Sequence, residues 1–549
     1  PQNLWGFFPV FVTPLKNTHK TLIYRCWFLI LGVPTLFLLF LRMFIRKKEN
    51  KSGSVSVQII DKSSGKYKVV KTIGSCQTEE GVTLLLHQAK HELNKIQQQT
   101  SLFVSHEDAI VESFLNTLNN SNVRVIGPEL IFGKIYDSIG FNKIEEKLFR
   151  HLVISRLAFP LSKLKTVDYL YRYQGVIINI STIYRFLDKL NNRLKAQIES
   201  ISYNHTKKLL NNKISVVFYD MTTLYFEASD EDDFRKTGFS KDGKHQNPQI
   251  FLGLLVGLGG YAIGYEIFEG NIYEGHTLIP VLEKLSKKFN LSKPIVVADA
   301  GLLSNDNLKK LEGNGYKYII GARIKNENEQ IKKQIIEAKL KDGEYKIITK
   351  SSSQRLIISY SDKRAKKDEY NRKRGLYRLE KRIKSGKLTK ANINNRGCNK
   401  YLKLEGDIDI KIDYEKFEKD EAWDGLKGYI TNTRLGAKQI IENYNNLWHI
   451  EKAFRMSKTD LRIRPIYHHL RARIEAHICI SFTAYAIYKE LERLLYKAKA
   501  RFSVKRAAEL TQTMYQLGVV LPESKKRKNI LLNMDDEQKL LTKIITENV

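Results

Sequence analysis

Residues 214–227 read ISVVFYDMTTLYFE, and residues 295–301 read IVVADAG. Each begins as a short apolar, β-branched run, the pattern of a buried strand. Each run ends on an aspartate, Asp220 in the first and Asp299 in the second. An acid at the end of a buried strand is costly unless something compensates it, although each aspartate alone also suits a turn or a helix cap. Around the pair, residues 251–258 (FLGLLVGL) and 261–268 (YAIGYEIF) read as further strands, parted by Gly259 and Gly260. Residues 277–289 and 305–313 read as helices, and 316–322 (YKYIIGA) as another strand. Strands alternating with helical crossovers predict an α/β layer built on a mixed sheet.

Outward from this core, the first part of the layer is expected over residues 206–329 and the second over 431–500. Between them, residues 330–430 read as an inserted, β-rich, basic region. Its segment 363–390 holds 13 Lys and Arg against three acids, which suits either a solvated helix or a helix that contacts phosphates. Residues 501–549 read as a basic helical tail. Upstream, residues 43–120 predict a hairpin (55–60 and 67–73, joined by DKSSGK) followed by helix. Residues 121–205 read as helical. There, a helix over 163–173, the link GVIINI and a second helix capped by Ser181 make a helix-turn-helix pattern. Thr182, Tyr184 and Arg185 would then lie near the start of a DNA-reading helix. An ordinary helical bundle, with Ile183, Phe186 and Leu190 as core, suits the same residues.

The chain of 549 residues carries a formal charge of +33, with 92 Lys and Arg against 59 Asp and Glu. An excess of that size attracts phosphate backbones and points to double-stranded DNA as partner. The four cysteines, Cys26, Cys76, Cys398 and Cys479, have no zinc-site spacing. Their scarcity argues against a disulfide scaffold and for a reducing cytoplasm, with the protein on the nucleoid. Residues 26–41 are apolar and uncharged but shorter than a usual membrane span. The first methionine is Met43, and the reading preferred for residues 1–42 is an apolar leader translated from upstream sequence. A membrane anchor is the alternative. Residues 1–42 carry four basic residues and no acid, so the basic excess does not depend on them.

Phosphodiester chemistry needs an activated water or hydroxyl and a stabilised leaving oxygen, and two magnesium ions about 3.5–4 Å apart supply both. Magnesium takes hard oxygen ligands, so such a site needs acids at strand ends and one more on a neighbouring helix. Residues 443–461 (NYNNLWHIEKAFRMSKTDL) read as that helix. Tyr444, Glu451 and Lys458 are spaced by seven and would share one face, with Leu447 joining it and Arg455 flanking it. A solvated Glu–Lys face is the plainer reading of the same spacing. His468, His469 and His477 lack the further ligand that a metal site would need.

YDMTTLYFE, VVADAGLLS and YNNLWHIEKAFRMSKTDLRIRPIYHHLRARIEAHI together resemble the DDE transposases of bacterial insertion sequences. The match is to the group with a Y-x2-R-x3-E-x6-K signature, the insertion-sequence-four superfamily. The signature falls on Tyr444, Leu447, Glu451 and Lys458, and Leu447 stands where the pattern has arginine. The resemblance implies an RNase H-like catalytic core with a β-rich insertion between the second Asp and the Glu. It implies that Asp220, Asp299 and Glu451 ligate two Mg2+, with Mn2+ able to substitute. Tyr444 and Lys458 would contact DNA, and Arg455 is grouped with them. Cutting would release a 3′-hydroxyl that attacks target DNA, within a synaptic homodimer. A metal nuclease without strand transfer, or an inactive DNA-binding protein, are the alternatives.

Overall fold

The computed structural model describes residues 43–63, 65–96, 106–386, 388–394, 397–405, 409–521 and 524–549. The stretch 26–41 lies outside them. Among the described residues no helix is long and apolar enough to cross a membrane. The chain divides into two compact units, Pro1–Asn119 and Asn120–Val549.

In the first unit, Val55–Asp61 pairs antiparallel with Lys68–Cys76, and Met43–Glu49 adds a third strand along its other edge. Helix Glu79–Ile96 packs Val82 and Ala89 against Val57. The sequence pattern predicts two of these strands. Met43–Glu49 escapes it because MFIRKKE is charged, and an edge strand tolerates charge that a central one does not.

The second unit is built on one mixed sheet, as the apolar runs predict. Its strands are β1 Val216–Tyr225, β2 Gln249–Gly257, β3 Ala262–Glu269, β4 Ile295–Ala298, β5 Lys317–Ala322, β6 Tyr345–Thr349, β7 Arg355–Tyr360 and β8 Leu426–Thr431. Their order across the sheet is β6-β7-β8-β5-β4-β1-β2-β3. β4 runs parallel to β1 and β5, and the other neighbours are antiparallel. β2 is buried along its whole length, because IFLGLLVG is apolar on both faces. The strand period of two sends Phe218, Leu252 and Val297 into one core, and Tyr219, Phe251 and Val296 into the other. Asp220 shares the face of Phe218. Residues 330–430 add β6, β7 and β8 to the sheet beyond β5, and a hairpin, Leu402–Glu405 with Asp409–Ile412, builds a small core of its own.

Helices α1 Lys147–Ala158, α2 Lys163–Tyr169 and α3 Ile180–Leu209 precede the sheet. α3 is capped by Asn179, whose side chain accepts the Ser181 N–H at 3.0 Å, so Ser181 is not the cap that the sequence suggests. Asn and Ser cap about equally well, and here the asparagine comes first. Ile183, Leu187 and Leu190 of α3 are buried. α4 Leu278–Phe289 covers the Tyr219 face, and α5 Asp362–Lys384 is the basic helix of the inserted region. α6 Ala437–Asn445, α7 Trp448–Arg455 and α8 Arg471–Lys497 cover the Phe218 face. The tail, expected to be helical, contains two strands, Tyr515–Val520 and Arg527–Leu531, which form a sheet with Val123–Val125. The cause is non-local, since YQLGVV finds a partner strand far earlier in the chain.

Gly270 begins the turn after β3. A Cβ there would lie 2.0 Å from the Gln249 carbonyl oxygen and 2.3 Å from that of Lys236. Both are backbone atoms with no rotamer to give way. Gly270→Ala is therefore expected to lower stability by about 3 kcal/mol or more, read as a fall in the thermal midpoint.

Candidate active site

The parallel pairing of β1 and β4 sets Tyr219 opposite Ala298. Asp220 and Asp299 are the next residues of the two strands, so they come side by side where β4 ends. The sequence pattern places Asp220 at the end of its strand as well. Instead β1 continues to Tyr225, because its antiparallel neighbour β2 goes on pairing, with Asp220 opposite Leu254.

Asp220 is half-buried and its Oδ1 accepts the Met221 N–H at 2.7 Å. Burial pushes its carboxyl up to about 6. The Lys241 ammonium and the Met221 N–H oppose that shift, and the Glu274 and Asp299 carboxylates add to it. A carboxyl raised in the folded state holds its proton more tightly there than in the unfolded chain, so ionising it costs stability. The cost is absent below the unfolded value near 3.8, grows between there and about 6, and is complete above that. Asp220→Asn is accordingly expected to stabilise the metal-free chain by up to about 3 kcal/mol at pH 8. At pH 4 it should change little. Thermal denaturation at the two pH values checks the sign.

Asp299 is exposed. It caps the short turn Ala300–Leu302, accepting the Ala300 N–H at 2.6 Å, and accepts the Tyr444 O–H at 3.1 Å.

The helix expected to carry Tyr444, Glu451 and Lys458 on one stripe is broken. α6 ends at Asn445 and α7 begins at Trp448. Between them the Leu447 N–H bonds the Tyr444 carbonyl at 3.0 Å, and the Ile450 N–H bonds that of Leu447 at 3.1 Å. Asparagines compete for the backbone in turns, and Leu447 is 6% exposed, its side chain drawn into the core. A second irregular turn, Met456–Asp460, carries Lys458. The three residues therefore come from three elements.

Tyr444 is buried, with its ring edge-on to Tyr429 and the Lys427 ammonium 4.4 Å from its ring centre. Burial and the adjacent Asp299 carboxylate push its phenol well above the ordinary range. Glu451 is exposed, in the first turn of α7. Its carboxylate and that of Asp299 both act on Tyr444 and on the Lys427 ammonium, whose burial lowers its pKa. Lys458 is half-buried and held by both oxygens of Asp242, at 3.1 and 3.0 Å. Arg455 is exposed. On α3, Thr182 and Arg185 are exposed and 3.4 Å apart. Tyr184 is half-buried, edge-on to His468 and beneath the Arg473 guanidinium.

Two residues that sequence reasoning passes over join the aspartates. Lys241 lies 3.5 Å from Asp220 Oδ1 and 2.8 Å from Glu274 Oε1. Both come from turns, where no periodicity marks them. Among the described residues no three His, Cys, Asp or Glu side chains are drawn together for a metal ion. Lys241 and Tyr444 engage the carboxylates instead. His477 is buried and faces the Ile463 carbonyl at 2.8 Å.

Residues 211–487 match the family described as transposase DDE domain, just over half of the chain's 549 residues. No curated protein matches. Among solved structures, the cryo-EM structure of a piggyBac transposase synaptic complex with hairpin DNA is similar at 11% identity and a TM-score of 0.36. That similarity covers 70% of this chain and 76% of the other, and a likeness so slight carries no weight for what this chain does.

Proposed function

Since this chain belongs to the transposase DDE domain family, we propose that it cuts DNA at the ends of a mobile element and joins the freed 3′-hydroxyls to target DNA. One observation carries this reading. Asp220 and Asp299 come side by side at adjacent parallel strands, with the Tyr444 hydroxyl on Asp299. The order β5-β4-β1-β2-β3, with only β1, β4 and β5 parallel among these strands, supports an RNase H-like core.

Asp220, Asp299 and Glu451 would hold two Mg2+, or Mn2+ in their place. The donors are hard oxygens of the type these ions take, and a buried Glu274 oxygen without an aligned hydrogen bond lies beside Asp220. Bound metal supplies Lewis acidity for the attacking oxygen and charge compensation for the leaving one. Tyr444 positions Asp299 through its hydroxyl, beside the contact with DNA that the resemblance implies for it. Lys458 and Arg455 supply positive charge beside the acids for the phosphate backbone. Thr182 and Arg185 on α3, together with α5, offer further exposed groups to it. Tyr444, Glu451 and Lys458 support membership of the Y-R-E-K group, while buried Leu447 replaces the arginine of that pattern without leaving a charged group in its place. A homodimer would pair two element ends.

The test is joining. The full chain is incubated in Mg2+ with linear DNA carrying the sequences that flank its gene, together with a supercoiled target plasmid. Plasmid covalently joined to the labelled 3′ strand is the expected product. Cut ends without joining would favour a nuclease, and binding without cutting an inactive DNA-binding protein.

A further inference from the structure

One turn sets opposite charges against the two sides of the candidate site. Lys241 Nζ faces Glu274 Oε1 at 2.8 Å and Asp220 Oδ1 at 3.5 Å, and donates to the Met221 carbonyl at 2.6 Å. Glu274 lies on the turn Glu274–His276 between β3 and α4. Its Oε1 is buried and paired with the Lys241 ammonium at 2.8 Å. Its Oε2 points toward the loop after Asp299, where a Cβ at Gly301 would lie 3.5 Å away. The next residue of the turn, Asp242, engages Lys458 at 3.0 Å and Arg464 at 3.3 Å. An ammonium therefore sits among carboxylate oxygens, and a carboxylate sits on two side-chain cations.

Resting on the function proposed above, we propose that in the DNA-free chain Lys241 and Asp242 hold the places of a divalent cation and of a DNA phosphate, and that Glu274 joins Asp220 as a ligand of that cation. A single ammonium compensates the two carboxylates only in part, and a hard dication matches them better. Lys241 also spends one of its three donors on a backbone carbonyl. A purely structural role for the Lys241–Glu274 pair would leave unexplained why its neighbour neutralises the lysine expected to meet phosphate. The turn is closed by its own bonds, from the Asp242 and Lys244 N–H groups to Ser240 Oγ. Displacing it costs the bond from the Lys241 N–H to Thr223 Oγ1 at 3.1 Å.

The test uses the full chain and two readouts that need no catalysis: calorimetric titration with Mn2+ alone, and anisotropy of a labelled duplex without metal. Lys241→Ala is expected to bind Mn2+ several-fold more tightly, and Glu274→Gln roughly tenfold or more weakly. Glu274→Asp, which keeps the carboxylate, should recover most of that loss. Asp242→Asn should bind duplex several-fold more tightly, and Asp306→Asn, an exposed acid paired with Lys310, should change neither readout. Parental Mn2+ affinity in Glu274→Gln, or weaker Mn2+ binding in Lys241→Ala, would overturn the proposal. If Asp299→Asn loses Mn2+ while Glu274→Gln keeps it, this proposal fails and the transposase reading survives. A parent that neither binds Mn2+ nor cuts DNA sinks both.

Discussion

Asp299→Asn is expected to slow DNA cutting by about a thousandfold or more, with duplex affinity within about twofold of the parent. Losing a carboxylate from a two-metal site removes several kcal/mol of transition-state stabilisation, and about 4 kcal/mol corresponds to a thousandfold in rate. Asparagine keeps the shape, and its carbonyl oxygen still accepts the Ala300 N–H and the Tyr444 hydroxyl that Asp299 holds. The fold is therefore not at stake, and neither is the net positive charge of the chain. Asp220→Asn should lose as much activity while gaining stability at neutral pH, because its buried charge is a cost to the metal-free fold. A loss of activity with a gain of stability is the mark of a functional acid, and a structural aspartate would lose both. Glu451→Gln should match Asp299→Asn in rate and leave stability nearly unchanged, since Glu451 is exposed. Cutting within tenfold of the parent in any of the three would remove that acid from the site.

Duplex affinity is expected to fall by about 10³–10⁵ between 50 and 200 mM salt, the loss for a protein that neutralises six to ten phosphates. The charge of +33 supplies the field, and α5 supplies a concentrated part of it. Lys366, Lys367, Arg374 and Arg378 on that helix are exposed and form no ion pair among the described residues. Other charges on α5 are neutralised locally, as in Arg364–Asp368, Lys373–Glu369 and Arg372–Asp424. Changing Lys366, Lys367, Arg374 and Arg378 to alanine should flatten the salt slope by about one unit for each phosphate left without its cation. A slope unchanged by the fourfold variant would return α5 to the role of a solvated surface helix.

The aspartates are legible in the sequence because an acid after a buried apolar run is a local pattern, although β1 runs on past Asp220 to Tyr225. The mixed sheet is legible for the same reason, since runs such as VVFY, FLGLLVG and IVVA declare burial on both faces. The break between α6 and α7 is not. Every residue from Ala437 to Arg455 suits a helix by spacing, and only the burial of Leu447 in the tertiary core shows where the chain must turn. The spacing of seven still has value, because the Glu451 carboxylate acts electrostatically on Tyr444 and on Lys427, although from a separate helix. Lys241 and Glu274 are hidden for a different reason. They lie in turns, and strand register and loop closure bring them to Asp220. Likewise Val123–Val125 and Tyr515–Val520 find each other across nearly the whole second unit, and no local window contains that pairing.

The most direct test of the central claim is metal-dependent cutting of labelled DNA that carries the flanking element ends. The full chain is assayed with Mg2+ and with chelator, beside a variant combining Asp220→Asn, Asp299→Asn and Glu451→Gln. The account predicts cutting at the element ends that leaves a 3′-hydroxyl in the parent with Mg2+. It predicts none with chelator and none in the triple variant, although both proteins bind the same DNA. Equal cutting by the triple variant, or a parent that binds these ends in Mg2+ and leaves them intact, would contradict it.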